Sequence, residues 1–315
     1  MARIEDVAVF IEVAERGSFA QAARRLARSP AAVTRAVAEL EGRLGVRLLT
    51  RTTRAVSLTD AGQRFLAGAK RVLADLDEIE RAAAGEGTAP RGELRVTAPI
   101  LFGRLHLLPI VIEFVRRFPD VLVALSLLDR PVDLVDEGLD IALRIGALAE
   151  SSLVATRAGA VRRIIVASPA YLSPHGRPQT PADLAAHAVV AFSGIAGIER
   201  WTFRQGGREL NATITPRLVV NTAEAALDAA RADFGMTRVL SYQAADDIVR
   251  GSLLRLLAGY EGDELPIHLI YPGGRHPPPK LRAFLDFTMP RLRRRCDAMR
   301  SRARRRRELA GGNRA

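Results

Sequence analysis

The sequence predicts a multi-domain chain: a small, mainly all-α head with a hairpin wing, a long linker helix, and a two-lobed α/β body. Three observations predict it. At about 100–200 residues per domain, the 315 residues call for two or three domains. Apolar residues recur with helical period in three stretches between Ile4 and Leu44, and again from Phe65 to Ala83. From Glu93 short apolar runs alternate with helical patterns, the signature of a mainly parallel sheet flanked by helices.

Residues 1–59 form the head. Ile4 to Glu15 carries Val7, Phe10, Ile11 and Ala14 on one stripe, and Gly17 stops it. Ser18-Phe19-Ala20-Gln21 fits a capping box that opens a second helix to about Ala27. Ser29 is a good N-cap and Pro30 suits the first position of a third helix. There Val33, Val37, Leu40 and Leu44 form the buried stripe, leaving Ala31, Ala32, Thr34, Arg35 and Ala38 outward. Two short helices joined by a tight turn, the second presenting small side chains and an arginine, describe a helix-turn-helix. Small residues admit such a helix to the major groove, and Arg35 can offer two donors to a guanine edge. Thr34 can reach bases or phosphates. The Thr- and Val-rich stretch from Leu48 to Thr59 suggests a hairpin wing whose tip, Arg51, Thr52, Thr53 and Arg54, suits phosphates or the minor groove. The bland alternative is a three-helix domain with a solvated basic face.

Residues 60–90 form the linker helix and hinge. Phe65, Ala69, Val72, Leu76, Ile79 and Ala83 are spaced four, three, four, three and four apart, a heptad seam for pairing with another helix. Packing against its own domain is the alternative. Ala84 to Pro90 ends the helix.

Residues 91–295 form the body: lobe I at about 91–160 and 268–295, lobe II at about 161–267. Leu94–Thr97 is a strand, followed by a turn at Ala98-Pro99 and a helix to about Phe118. Val121–Leu128 is nearly all apolar, as for a strand buried on both faces. Val132–Glu137 is expected as a short helix and Asp140–Arg144 as a strand. The alternation continues through Val161–Ser168, Thr222–Ala232, Phe234–Val239, Ser241–Val249, Ile267–Tyr271 and a final helix from Pro279. In open α/β sheets ligands bind beyond the carboxyl ends of strands. Thr97, Ala98 and Pro99 lie at such an end and open a helix whose N–H groups can hold an anion, with Phe102 one turn on. Arg144 and Gly146 end another strand. Ser193, Trp201 and Thr237 are candidate second-lobe walls. Structural alternatives stand beside each: Thr97 caps its helix, Arg144 pairs with an Asp, and Trp201 fits the core better than a pocket.

The net charge is +12 and the pI about 11.0, which points to a polyanionic partner, nucleic acid before membrane. Its placement is uneven. Residues 1–60 hold ten Arg against seven acidic residues, 61–290 are balanced, and 291–315 hold eleven Arg against two acidic residues. Residues 296–315 are thus an Arg-rich tail, expected to be mostly solvated, fraying or disordered, either a bland extension or a sequence-independent DNA arm. The single cysteine, Cys296, excludes a disulfide framework, and the five scattered histidines show no metal-ligand spacing. The longest uncharged run, Leu184 to Ile198, is too short for a membrane span, and no apolar signal core follows Met1, so a cytoplasmic protein without membrane partners is expected. No Gly-x-Ser-x-Gly elbow, Walker motif or dinucleotide fingerprint occurs, and Asp246-Asp247 reads as surface charge; no enzyme and no cofactor are predicted.

The string Phe10-x2-Val13-Ala14-Glu15-x-Gly17-Ser18-Phe19-x2-Ala22-Ala23-x2-Leu26-x2-Ser29, then Leu40-Glu41-x2-Leu44-Gly45, Leu48-Leu49-x-Arg51-Thr52-Thr53-Arg54 and Leu58-Thr59-x-Ala61-Gly62, resembles the LysR-type transcriptional regulators of bacteria. In the body, Val96-Thr97-Ala98-Pro99, Phe118-Pro119-x-Val121, Val132 to Gly146, Ser168 to Leu172 and Lys280 to Phe284 resemble the effector domain of that family, itself similar to periplasmic binding proteins. The resemblance implies a homodimer or homotetramer paired through the linker helix, double-stranded promoter DNA, RNA polymerase as a partner, and a small-molecule effector, an anion among the candidates, in a hinged cleft. Pro30 stands where many members carry a base-reading Gln, which shifts base reading onto Thr34, Arg35 and the wing. Bulk at Asp233 and Phe234, where many members carry Gly, bars copying a ligand from any relative. Two other functions stay open: a solute-binding or catalytic α/β protein with an incidental basic head, and a non-specific DNA binder led by the tail.

Overall fold

The computed structural model describes residues 4–51, 56–83, 89–134, 136–148, 153–193, 199–273 and 277–311. The chain forms two compact units, Met1–Ala89 and Pro90–Ala315.

In the first unit, helices α1 (Ile4–Arg16), α2 (Phe19–Arg25) and α3 (Pro30–Leu44) enclose a core of Val9, Phe10, Val13, Ala22, Ala23, Val33, Ala36, Val37 and Leu40. The caps sit where the sequence puts them. Ser18 Oγ accepts from Gln21 N at 3.3 Å, and Ser29 Oγ accepts from Ala32 N at 3.2 Å with Pro30 as the first helical residue. Ala27 takes a left-handed conformation in the turn between α2 and α3. Leu44, assigned to the buried stripe, is instead exposed, because α3 ends there and the last turn has nothing to pack against. The nearly buried Asp6 accepts from Arg43 at 2.8 Å and ties α1 to α3. Strands β1 (Leu49–Arg51) and β2 (Val56–Leu58) pair antiparallel as the wing. Glu41 Oε1 accepts from Leu48 N and Leu49 N at 2.8 and 3.0 Å, which fixes the strand entering it.

Helix α4 (Asp60–Ala83) starts under the wing, where Thr59 Oγ1 accepts from Gly62 N at 3.0 Å and donates to Arg47 O at 2.8 Å. Gly62 is required here: a Cβ would run into the Leu48 carbonyl. The heptad seam is divided. Phe65 packs edge-on to Phe10 at 5.4 Å and Ala69 is buried, so the first turns serve the head itself, and Lys70 pairs with Glu15 at 2.6 Å. Val72 is 62% exposed, one turn beyond the part of the helix that packs on the head.

The second unit holds two five-stranded sheets. Strands β3 (Gly92–Ala98), β4 (Val121–Leu127), β5 (Ile141–Ile145), β6 (Leu153–Val161) and β14 (Leu265–Pro272) build one in the order β4-β3-β5-β14-β6. Strands β7 (Arg163–Ala167), β8 (Val189–Phe192), β11 (Leu218–Val220), β12 (Met236–Leu240) and β13 (Leu254–Leu256) build the other, β11-β8-β12-β7-β13. Strands β9 (Arg200–Gln205) and β10 (Arg208–Thr213) form a hairpin lying on the second sheet. The expected parallel pairing holds for β3 with β4 and β5, and for β8 with β11 and β12. Pairs β14–β5, β14–β6, β12–β7 and β13–β7 are antiparallel, so both sheets are mixed.

The chain crosses between sheets twice, at 161–163 and between Leu256 and Leu265. Arg162 spans the two crossings, donating to Gly262 O at 2.9 Å and Glu264 at 3.4 Å. Helix α5 (Ile100–Phe102) continues through a π turn, Gly103–Leu107, into α6 (Leu108–Arg117), which packs Ile110, Val111 and Phe114 on the first sheet. Helices α7 (Pro169–His175), α8 (Ala223–Arg231) and α9 (Ala245–Arg250) belong to the second lobe. Helix α10 (Pro279–Gly311) returns to the first.

Several expectations are corrected. β4 is an edge strand with Leu122 exposed, so its apolar run is not buried on both faces. Among the described residues the expected helix at 132–137 is not formed: Val132 and Asp133 are irregular, Leu134, Asp136 and Glu137 lie in turns, and Arg130 clamps Glu137 at 2.7 and 2.9 Å. The tail does not begin at Cys296. Its side chain is fully buried against Gly159, Met299 packs beside it, and the helix continues to Gly311. Asp247 is no surface charge: Arg231 grips both its oxygens at 2.9 and 2.6 Å, with Arg250 and Ser252 adding further bonds.

Candidate functional site

The head presents its polar residues on one exposed surface. Ser29, Pro30, Ala31, Ala32, Arg35 and Ala38 are exposed on α3 and the turn before it, and Thr34 is half-buried. Arg35 reaches outward with its Nε 2.8 Å from Glu39 one turn on. Arg51 ends strand β1 of the wing; Thr52, Thr53 and Arg54 lie outside the described residues.

In the body, the predicted residues divide among three places. Thr97 and Arg144 share one face of the first sheet, since Thr97 pairs with Ala142 in register and side chains alternate along a strand. Both hold buried polar atoms without a partner, Thr97 Oγ1 and Arg144 Nη2. Burial lowers the Arg144 guanidinium pKa, partly offset by the charge of Glu137. Its own bond goes to the Leu143 carbonyl at 3.1 Å, and among the described residues no Asp forms an ion pair with it. Gly146 ends this strand, donating to Pro266 O at 2.9 Å.

Phe102 lies where the lobes meet. Its ring is edge-on to Tyr242 at 5.2 Å and tilted against His106 at 4.8 Å. Burial, with Arg295 adding to it, lowers the His106 pKa to about 4 and keeps the ring neutral. Tyr242 is likewise held as a neutral phenol by burial. Ala98 and Pro99 lead into α5, and the anion expected at that helix start is supplied internally: Asp129 Oδ1 accepts from Ile100 N at 3.0 Å. Burial raises the Asp129 pKa; the Ile100 bond lowers it and the charge of Glu224 raises it again. Glu224, in the first turn of α8, faces Arg104 at 3.8 Å and keeps Oε2 buried without a partner. Asp129, Glu224 and Tyr242 were not singled out from sequence. Asp129 and Tyr242 follow the ends of β4 and β12 by two residues, so a search at strand ends finds them.

Ser193 is exposed at the end of β8, its N–H bonded to Val220 O. Thr237 and Trp201 do not share a wall. Thr237 is fully buried on the α8 side of β12 with Oγ1 unpartnered. The next residue, Arg238, points to the opposite face and stacks on Trp201 at 4.7 Å, within the second-lobe core.

An exposed helix face of small residues plus arginine, beside a hairpin wing, and a separate two-lobed body with polar atoms at its seam define a DNA-reading protein with a ligand-binding body. The comparisons give the family. Residues 4–63 match the bacterial regulatory helix-turn-helix protein model of the lysR family, and residues 87–293 match the LysR substrate binding domain. The chain belongs to the LysR-type transcriptional regulators. It is 34% identical over 293 residues to an HTH-type transcriptional regulator of Xanthomonas campestris, covering 92% of this chain and 85% of the other. It is 34% identical over 292 residues to CrgA of Neisseria meningitidis, covering 91% and 96%. The solved structure of CrgA superposes with a TM-score of 0.59 at 32% identity, covering 91% and 98%. The full-length Vibrio cholerae virulence activator AphB gives 0.57 at 26% identity, covering 91% and 99%. These matches make it a transcriptional regulator and not an enzyme. No helix among the described residues is long and apolar enough to cross a membrane.

Proposed function

We propose that Ser29, Pro30, Ala31, Thr34, Arg35 and the wing residues Arg51, Thr52, Thr53 and Arg54 read promoter DNA, and that a small molecule entering between the lobes switches this activity. One observation carries the switching half: near Asp129 and Tyr242 the lobe contact buries Glu224 Oε2 without a hydrogen-bond partner, which a closed structural interface would supply. Asp129 already fills the helix terminus, so the seam favours a ligand rich in hydrogen-bond donors over an anion. A ligand that binds the open and closed lobes unequally shifts their balance, and only such a ligand acts as a switch.

The exposed Val72, with Leu76, Ile79 and Ala83 following it at heptad spacing in the sequence, supports pairing with a second copy, which places two heads on matching half-sites. A homodimer or homotetramer contacting RNA polymerase in the cytoplasm completes the proposal. The test is footprinting of the full-length protein on a duplex selected from a random pool, with amine-bearing and carboxylate-bearing metabolites added in turn. An amine should alter the footprint of the wild type and not of Glu224→Gln. No change with any ligand, or a change that survives Glu224→Gln, refutes the cleft assignment.

A further inference from the structure

A cavity of about 220 Å³ opens on the second lobe, between the β9–β10 hairpin, strands β7, β12 and β13, and the segment 261–265. Its charged lining is mostly spoken for. Arg204 pairs with Asp263 at 2.9 Å and stands opposite Glu209 across the hairpin, while Glu261 is gripped by Arg255. Two cations are left. Arg238 is 92% buried, at 8% exposure, and Arg163 lies beside it; among the described residues neither forms an ion pair. Burial, with the charge of Arg163 added to it, lowers the Arg238 pKa to about 9. A buried guanidinium normally has a carboxylate partner, because a charge left unpaired away from water is strongly destabilising. Arg238 has only the face of Trp201, which neutralises nothing. Beside Thr202, whose hydroxyl donates to Asn211, and Gly262, the rest of the lining, Ile165, Phe203, Leu256, Leu257 and Leu265, is apolar.

We propose that this cavity binds a small organic carboxylate, its oxygens on Arg238 and Arg163 and its hydrocarbon part against Ile165, Leu256 and Leu257. None of Phe102, Asp129, Glu224 and Tyr242 lines this cavity, and the proposal does not rest on the effector reading given above. Trp201 is the only tryptophan in the chain, and it touches Arg238, so its fluorescence reports occupancy directly.

The full-length protein is titrated with sodium hexanoate, which is transparent where tryptophan absorbs, and with sodium phosphate, both at constant ionic strength. Hexanoate should produce a saturable change in Trp201 emission and raise Tm, with phosphate binding more weakly. Arg238→Met should weaken hexanoate binding, read as Tm shift and calorimetric Kd, by about tenfold or more. Without ligand it should leave Tm unchanged or higher, since it removes an unpaired buried charge. The exposed Arg163→Gln should weaken binding by a smaller factor with no effect on folding. Absence of saturation with hexanoate, equal affinity in Arg238→Met, or tighter binding of phosphate than hexanoate overturns the proposal.

Discussion

Arg35 offers the sharpest test of how the head reads DNA. Its side chain is 82% exposed, and among the described residues its only bond is the ion pair to Glu39. Replacing it with Ala should therefore cost little stability, under about 0.5 kcal/mol, since an exposed pair one turn apart is worth about 0.3–0.5 kcal/mol. On DNA the side chain must leave Glu39, which subtracts that amount from the gain. A bidentate contact to guanine is worth about 1–3 kcal/mol. The net expected loss for Arg35→Ala is about 0.5–2.7 kcal/mol per head, a factor of roughly 2–100 in affinity. Glu39→Gln should do the opposite: it frees the guanidinium and removes a carboxylate from the groove, tightening binding about two- to threefold. The assay is fluorescence anisotropy at fixed salt, on a duplex selected from a random pool and on a scrambled duplex of equal length. Base reading predicts that Arg35→Ala loses affinity for the selected duplex and little for the scrambled one. An equal loss on both would assign Arg35 to phosphate alone, and no loss on either would move base reading to Thr34 and the wing.

Three further outcomes follow from the body. Asp247→Ala should destabilise the second unit by about 2–3 kcal/mol, less than a fully buried pair because the Arg231 side chain is 37% exposed and can reach water; an unchanged denaturant midpoint would contradict the clamp. The same bonds lower the Asp247 pKa, Arg231 contributing most, so the stabilisation is complete above the unfolded carboxylate pKa of about 3.9 and is lost as pH falls below it; the wild type should thus lose more stability than Asp247→Ala in acid titration. Gly159→Ala places a methyl inside the contact shell of Cys296 and should cost about 1–3 kcal/mol by overpacking, measured by chemical denaturation. Deleting residues 301–315 should leave sequence preference and the salt slope of DNA binding as they are, because the reading residues lie in the head; a slope shallower by about 0.9 per lost phosphate contact would make the tail a DNA-binding arm.

The sequence by itself determined the helices of the head, their caps, and the alternation of the body. Those features depend on periods of two to four residues and on caps that bond a neighbour three positions away, as Ser18 and Ser29 do. It also located the exposed face of α3, because a buried stripe defines its opposite. The tertiary structure decided the rest. Whether Phe65 serves a second copy or its own head depended on Phe10, more than fifty positions earlier. Asp247 became a clamp only when Arg231 arrived beside it, and Asp129 met Ile100 from 29 residues away. The expected anion site at Thr97-Ala98-Pro99 is filled for the same reason. Trp201 and Thr237 were separated by the pleat of β12, which sends consecutive side chains to opposite faces and gives Trp201 to Arg238 instead. Charges find their partners by sheet register and crossover, and neither is written in local spacing.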